Sequence, residues 1–172
     1  MTKSSSLLLA LLLFGILKVA SACSCVGGPT TPLESIKFSD VTFSGKVISI
    51  SLREYSKIVT FQVEKTWKGD DSSVITLTTG KESGICGHSY GIGESWLVYA
   101  NYRAIGSAIP MITTKELQTD SCRNPRTMRL EYAHDDLNEL GAGKTPVPIS
   151  SGHSKAVWIV PSLFLCMAGA WV

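Results

Sequence analysis

Apolar residues recur at every second position through the middle of the chain. Val41, Phe43, Gly45 and Val47 alternate with Thr42, Ser44 and Lys46, and the phase then shifts to Ile48, Ile50 and Leu52. Alternation sends successive side chains to opposite faces of a strand, and a one-residue change of phase is what a β-bulge produces. The pattern therefore predicts one long strand bent by a bulge. A polar link, Arg53-Glu54-Tyr55-Ser56, leads to a second strand with Val59, Phe61 and Val63 on one face. Lys68-Gly69-Asp70-Asp71 reads as a turn, and residues 74–79, 96–102 and 109–113 as three further strands. The Gly-rich span TGKESGICGHSYGIGE, residues 79–94, predicts a loop.

The period then lengthens. Leu130, Ala133, Leu137 and Leu140 form one helical stripe, with Asn124 placed to cap, Pro125 suited to the first position and Gly141 suited to the position past the end. A shorter helix is predicted around 33–38. Five short strands, a packed helix and no long βαβ unit predict a mainly β fold, a small five-stranded barrel of the OB type with a packed C-terminal helix.

Two apolar runs stand outside this alternation. Residues 7–17 are uninterrupted apolar chain behind Lys3, and Ala20-Ser21-Ala22 follows, so residues 1–22 read as a secretory signal cut after Ala22. Residues 156–172 carry no charge. Before them lie a polar spacer, 144–155, and the small triplet Gly141-Ala142-Gly143. That order is the pattern of a glycosylphosphatidylinositol (GPI) attachment signal, with Gly141 as the attachment site. A plain membrane anchor is the competing reading, and Ser150-Ser151-Gly152 is a poorer attachment site because its spacer is short. Residues 23–143 remain as one domain.

Removing the flanks changes the charge. Lys3, Lys18, Lys144 and Lys155 lie outside residues 23–143, which keep 12 of the 16 basic residues and all 14 acidic ones, a formal balance of −2. No basic block points to nucleic acid. Four of the five cysteines, Cys23, Cys25, Cys86 and Cys122, stay with the domain, and Cys166 leaves with the tail. An even number in an exported domain predicts disulfides. A Cys23–Cys25 ring would be strained, so each reaches a distant partner.

Enzyme constellations are missing: there is no His-Glu-x-x-His, no Gly-x-Ser-x-Gly and no phosphate-binding glycine motif followed by Lys. His88, His134 and His153 are far apart and read as packing or surface residues. Glu82, Glu94, Asp135 and Asp136 read as surface carboxylates, and Trp67 and Trp96 as core or barrel surface. The informative stretch is SACSCVGG, residues 21–28. Cut after Ala22, the chain begins at Cys23 with a free α-amine. In extended chain the Cys23 and Cys25 sulfurs face the domain and Ser24 faces away. An α-amine and its own carbonyl close a five-membered chelate ring on a metal, and a reference pKa near ~7.7–8 leaves a useful neutral fraction.

Cys-Ser-Cys at a mature N-terminus resembles the tissue inhibitors of metalloproteinases, whose inhibitory domain is a netrin-like OB-fold module. The resemblance continues through FSGKV, FQVEKTWKG, ESGICG, ESWLVYA and SCRNPRTMRL…DLNELG, and covers nearly all of residues 23–143. It implies that Cys23 chelates the catalytic zinc of a target metalloendopeptidase, of the matrix metalloproteinase kind, and that the protein needs no cofactor of its own. Ser24 would enter the pocket that receives the side chain after the scissile bond. Val26 would continue the wedge beside Ser83, Gly84 and Ile85. It also implies pairing of Cys23 with Cys86 and of Cys25 with Cys122, at an extracellular site, secreted or GPI-anchored. The family's usual third disulfide has no cysteines here, and an attachment signal stands where its second domain would begin. Gly27-Gly28 follows the wedge where relatives tend to be stiffer, which predicts weaker preorganisation.

The main competitor is a netrin-like binding module without inhibitory action, in which Cys23 only anchors the terminus. A bacterial lipoprotein acylated at Cys23 fits less well, because Ala20 is a poor start for a lipobox. An enzyme fits least.

Overall fold

The computed structural model describes residues 23–105 and 114–148. The signal at 1–22, the strand predicted at 109–113 and the chain from 149 onward, with His153, Cys166 and the Ser150-Ser151-Gly152 triplet, lie outside the described residues. In chain order the elements are helix α1 (Pro32–Phe38), strands β1 (Val41–Leu52), β2 (Ser56–Lys68), β3 (Val74–Gly80), β4 (Ser95–Ile105), β5 (Thr114–Gln118) and β6 (Met128–Arg129), and helix α2 (His134–Leu140). Single 3-10 turns occupy Ser83–Ile85 and Leu130–Tyr132.

The fold is mainly β. Six strands form one sheet in the order β1-β2-β3-β5-β4-β6, and a further β1–β4 pairing closes a ring through five of them. Closure is thin, because β3 and β5 meet in parallel at Thr78 and Gln118. The sheet is thus a ring closed at one narrow seam rather than a complete barrel. β1 bends into it by register shifts at Thr42/Phe43, Ser44/Gly45 and Val47/Ser49, the last where the sequence changes phase. Beyond that shift only Ile50 packs against the core, while Ile48 and Leu52 are exposed. The reason is that β4 pairs with β1 only as far as Lys46, so the β1–β2 hairpin projects past the wall that would have covered them.

Val41, Phe43, Val47, Val59, Phe61 and Leu77 fill the interior, with Phe43 and Phe61 edge to face at 5.3 Å. β4 is covered on both sides. Trp96, Val98 and Ala100 face the interior, whereas Leu97 and Tyr99 face outward onto Ala133, with Ile36, Leu130 and Leu137 around them. Double burial explains why WLVYA reads as an unbroken apolar run.

The helix predicted over 125–140 is instead a composite, and only its last seven residues are α-helical. Met128 and Arg129 pair with Leu97 and Trp96. Asn124 does not cap a helix; it is buried, and its amide donates to Asn101 Oδ1 at 2.9 Å. The apolar residues still face one side because the 3-10 turn and α2 lie over the same patch of β4. Asp136, expected on the surface, is buried: Tyr99 donates its hydroxyl to Oδ2 at 2.9 Å, and the Arg126 guanidinium pairs with both carboxylate oxygens. The pair holds the Arg126 guanidinium above its ordinary pKa, and burial, ahead of the hydrogen bond to Asp136, does the same for the Tyr99 phenol. α1 is stronger than its sequence signal, since Thr31 and Glu34 form a reciprocal capping box with Pro32 at the first turn.

The fold does not stop at Gly141. Thr66 and Lys144 exchange two backbone hydrogen bonds at 2.9 and 2.8 Å, and the Val147 amide donates to the Asp71 carbonyl at 2.8 Å. Residues 144–147 thus run from the end of β2 to the turn at Asp71 and Ser72 as part of the domain.

Candidate functional site

Residues 23–30 contain no helix or strand. Two disulfides tie them down, Cys23–Cys86 with Cα atoms 5.3 Å apart and Cys25–Cys122 with Cα atoms 5.0 Å apart. Closing a loop of 63 residues constrains the unfolded chain by about 4 kcal/mol in the chain-entropy account. These are the pairs that the resemblance implies. Both sulfurs of the CSC stretch bond to the body of the domain and Ser24 is exposed, as alternation along extended chain requires. Val26 is 98% exposed.

The two glycines after the wedge differ in their surroundings. Gly27 adopts φ +61°, a left-handed conformation that glycine accepts at little cost. A Cβ at Gly28 would lie 2.9 Å from the Cys122 carbonyl oxygen and 3.3 Å from the Pro125 ring. The glycines therefore let the backbone turn and lie flat on the Cys122–Pro125 segment. Close packing limits the freedom of Gly28, while a Cβ on Gly27 would meet only open space.

Cys86 is delivered by a tight loop. Ser83–Ile85 form the 3-10 turn, and Cys86 follows at φ +60° with its amide donating to the Ser83 carbonyl at 3.1 Å. Gly80 and Gly87 pack so closely that a Cβ on either would strike the other's backbone. Cys122 is set by Asp120, whose Oδ1 accepts from the amides of Cys122 at 3.1 Å and Arg123 at 2.7 Å. The Ser121 amide donates to the Cys86 carbonyl at 2.9 Å and joins the two cysteine-bearing segments. Sequence reasoning missed Asp120, although an Asp two residues before a Cys in a polar stretch is a turn signal.

The structure brings together Cys23, Cys25, Val26, Ile85, Cys86 and Cys122. Val26 and Ile85 line one groove of about 960 Å³, together with Phe38, Arg103 and Arg123, none of which the sequence singled out. Ser83 and Gly84 are exposed on the same turn and adjoin the site through the chain. The sulfurs of Cys23, Cys86 and Cys122 lie within 4.8 Å of one another. Bonded as disulfides, they have no thiolate to offer a metal.

Behind the Cys86 loop sits His88. It is buried, its ring lies 5.8 Å from that of Tyr90 and 6.4 Å from that of Trp96, and its amide donates to Thr79 Oγ1 at 3.3 Å. Burial pushes its pKa down to about 4; a hydrogen bond to the Asp120 main chain and the Asp120 charge offset part of this, and Lys57 adds to it. His88 is thus a neutral packing residue at ordinary pH. Glu94 also has a structural task, accepting from the Gly91 amide and the Trp96 indole and pairing with Arg129.

Gly141, the candidate lipid site, ends α2 at φ +69°, and its carbonyl accepts from the Trp67 indole at 2.8 Å. Cleavage there would strip Lys144 from β2 and Val147 from the turn that follows it. Among the described residues, no helix is long and apolar enough to cross a membrane. No known protein family matches the chain, and no curated protein matches it.

Proposed function

We propose that the protein is an extracellular inhibitor of zinc metalloendopeptidases, related to the tissue inhibitors of metalloproteinases, with a netrin-like OB-type domain and no catalytic activity of its own. The observation that carries this reading is the doubly bridged terminus. Cys23 and Cys25, two residues apart, are each bonded to the domain, while Ser24 and Val26 between and after them face solvent. Freed by cleavage after Ala22, the Cys23 amine and carbonyl would meet the target's zinc as a chelate whose position is already set. Holding it in place removes the ordering cost that a mobile terminus pays on binding. Ser24 would occupy the adjoining specificity pocket, and Val26 with Ile85 would form the flanking apolar contact. The five-strand ring supports the OB-type assignment, and the disulfides are compatible with an extracellular location. Membrane attachment through the C-terminal tail belongs to the same proposal.

The test is extension of the mature chain by one alanine before Cys23. The extension turns the amine into an amide, a poor metal ligand, and adds atoms where the zinc must sit. Inhibition of a panel of zinc endopeptidases should be nearly abolished while the circular dichroism spectrum is unchanged. Ser24→Ala should do less, because the chelate remains. An extended form that inhibits as well as the unextended one overturns the mechanism and leaves the binding-module reading.

A further inference from the structure

The two bridges are not independent. Cys122 Sγ lies 3.3 Å from Cys23 Sγ and 3.5 Å from Cys86 Sγ, so a sulfur of one disulfide touches both sulfurs of the other. Disulfide sulfurs carry no proton, and the contact is therefore van der Waals packing of one bridge on the other. Cys25 is exposed, whereas its partner Cys122 and both cysteines of the other bridge are half-buried. Among the described residues no backbone hydrogen bond ties residues 23–29 to the rest of the domain. The covalent bridges set the position of the terminus.

We propose that the four cysteines form one exchange centre, in which Cys122 relays thiol attack on Cys25 to the Cys23–Cys86 bridge and so releases the N-terminal segment. A low-molecular-weight thiolate attacks the sulfur of Cys25, the one exposed residue of the four, forms a mixed disulfide there and expels Cys122 as thiolate. Cys122, free to rotate about its Cα–Cβ bond into line, attacks Cys86 Sγ, forms a Cys86–Cys122 bond and expels Cys23 as thiolate. Each step breaks one S–S bond and makes one, so two disulfides enter and two leave. One external thiolate is consumed and one protein thiolate appears, with no net oxidation or reduction.

Attack on Cys86 is preferred over attack on Cys23 for a structural reason. Cys86 and Cys122 already belong to the folded body, where the Ser121–Cys86 backbone hydrogen bond holds their segments together. Their bond asks little rearrangement, and it sets residues 23–29 free with a gain in chain entropy, while Thr30 stays held by Arg126 and Glu34. The consequence for inhibition rests on the function proposed above, since a released Cys23 amine is no longer preorganised. The exchange itself does not depend on that reading.

The experiment is a pulse of limiting reduced glutathione on the folded protein at pH 8, quenched with acid, alkylated and mapped by peptide mass spectrometry. The expected main product has glutathione on Cys25, a Cys86–Cys122 bond and an alkylated Cys23. A Cys25→Ser variant, which leaves Cys122 without its partner, should show the same Cys86–Cys122 bond and alkylated Cys23 with no added thiol. Glutathione on Cys25 with Cys122 alkylated and Cys23–Cys86 intact overturns the relay. So do a Cys23–Cys122 bond, which would keep the terminus tied, and a Cys25 that never reacts. The readout is the disulfide map, so it stands whether or not the protein inhibits any protease, and the unmutated protein decides the matter if the variant does not fold.

Discussion

Acid should loosen the domain through His88. An unfolded chain protonates this imidazole near pH 6.5, but in the folded domain burial holds the pKa down to about 4. Between those values unfolding takes up a proton, so stability falls as pH falls through that window and is constant above it for this group. A gap of about 2.5 pH units at 1.36 kcal/mol each corresponds to about 3 kcal/mol lost between pH 6.5 and 4. The groups facing the ring are Asp120, Lys57 and Tyr90; the Asp120 charge opposes the shift and Lys57 reinforces it. Carboxylates elsewhere also titrate near the lower end, so the measurement must be a difference. Urea unfolding at pH steps from 7.5 to 4 would compare the native chain with His88→Phe, which keeps a ring against Tyr90 and Trp96. The native chain should lose about 3 kcal/mol more than the variant across the window, whatever the variant's stability at pH 7. Parallel pH profiles would refute a buried neutral His88, as would an NMR titration of its ring near 6.5. Because His88 follows Gly87 and Cys86, the first segment to loosen should be the loop that anchors the N-terminus.

Three further outcomes follow from the packing. Asp136→Ala should destabilise by about 1–3 kcal/mol, because it leaves the Tyr99 hydroxyl unpaired and a partly exposed Arg126 with only the Thr30 carbonyl; the shift in denaturant midpoint checks this, and Asp136→Asn should cost less. Gly28→Ala should cost about 1–3 kcal/mol by pushing a methyl against the Cys122 carbonyl, and should lower inhibitory potency as well; an unchanged melting temperature would contradict the flat seating of the terminus. Truncation after Gly141 should cost about 1–3 kcal/mol from the two lost Thr66–Lys144 hydrogen bonds and the contact of Gly143 with Trp67, and should shift tryptophan emission toward the red.

What the sequence by itself determined is whatever depends on neighbours along the chain. Alternation located β1 and β2, strand-forming runs located β3 and β4, and the phase change after Val47 marked a real bulge. The CSC spacing put two sulfurs on one side and Ser24 on the other. Each follows from strand geometry, which is local. Its reach ended where the outcome depended on what lies across space. A stripe of Leu130, Ala133, Leu137 and Leu140 satisfies a helix, yet two of the preceding residues form β6, because β4 offers an open edge at Trp96 and Leu97 that no local pattern reveals. Asp136 carries the composition of a surface residue and is buried only because Arg126 and Tyr99 converge on it. Residues 144–147 read as a polar spacer, yet Lys144 pairs with β2, whose edge is unpaired there, and Val147 with the turn beyond it. Gly27-Gly28 reads as slack, yet Gly28 is closely packed, since the Cys122 carbonyl that demands a glycine there lies far along the chain. The contact of Cys122 with both sulfurs of the other bridge has the same origin: four cysteines are visible in the sequence, but their meeting at one point is a property of the folded ring alone.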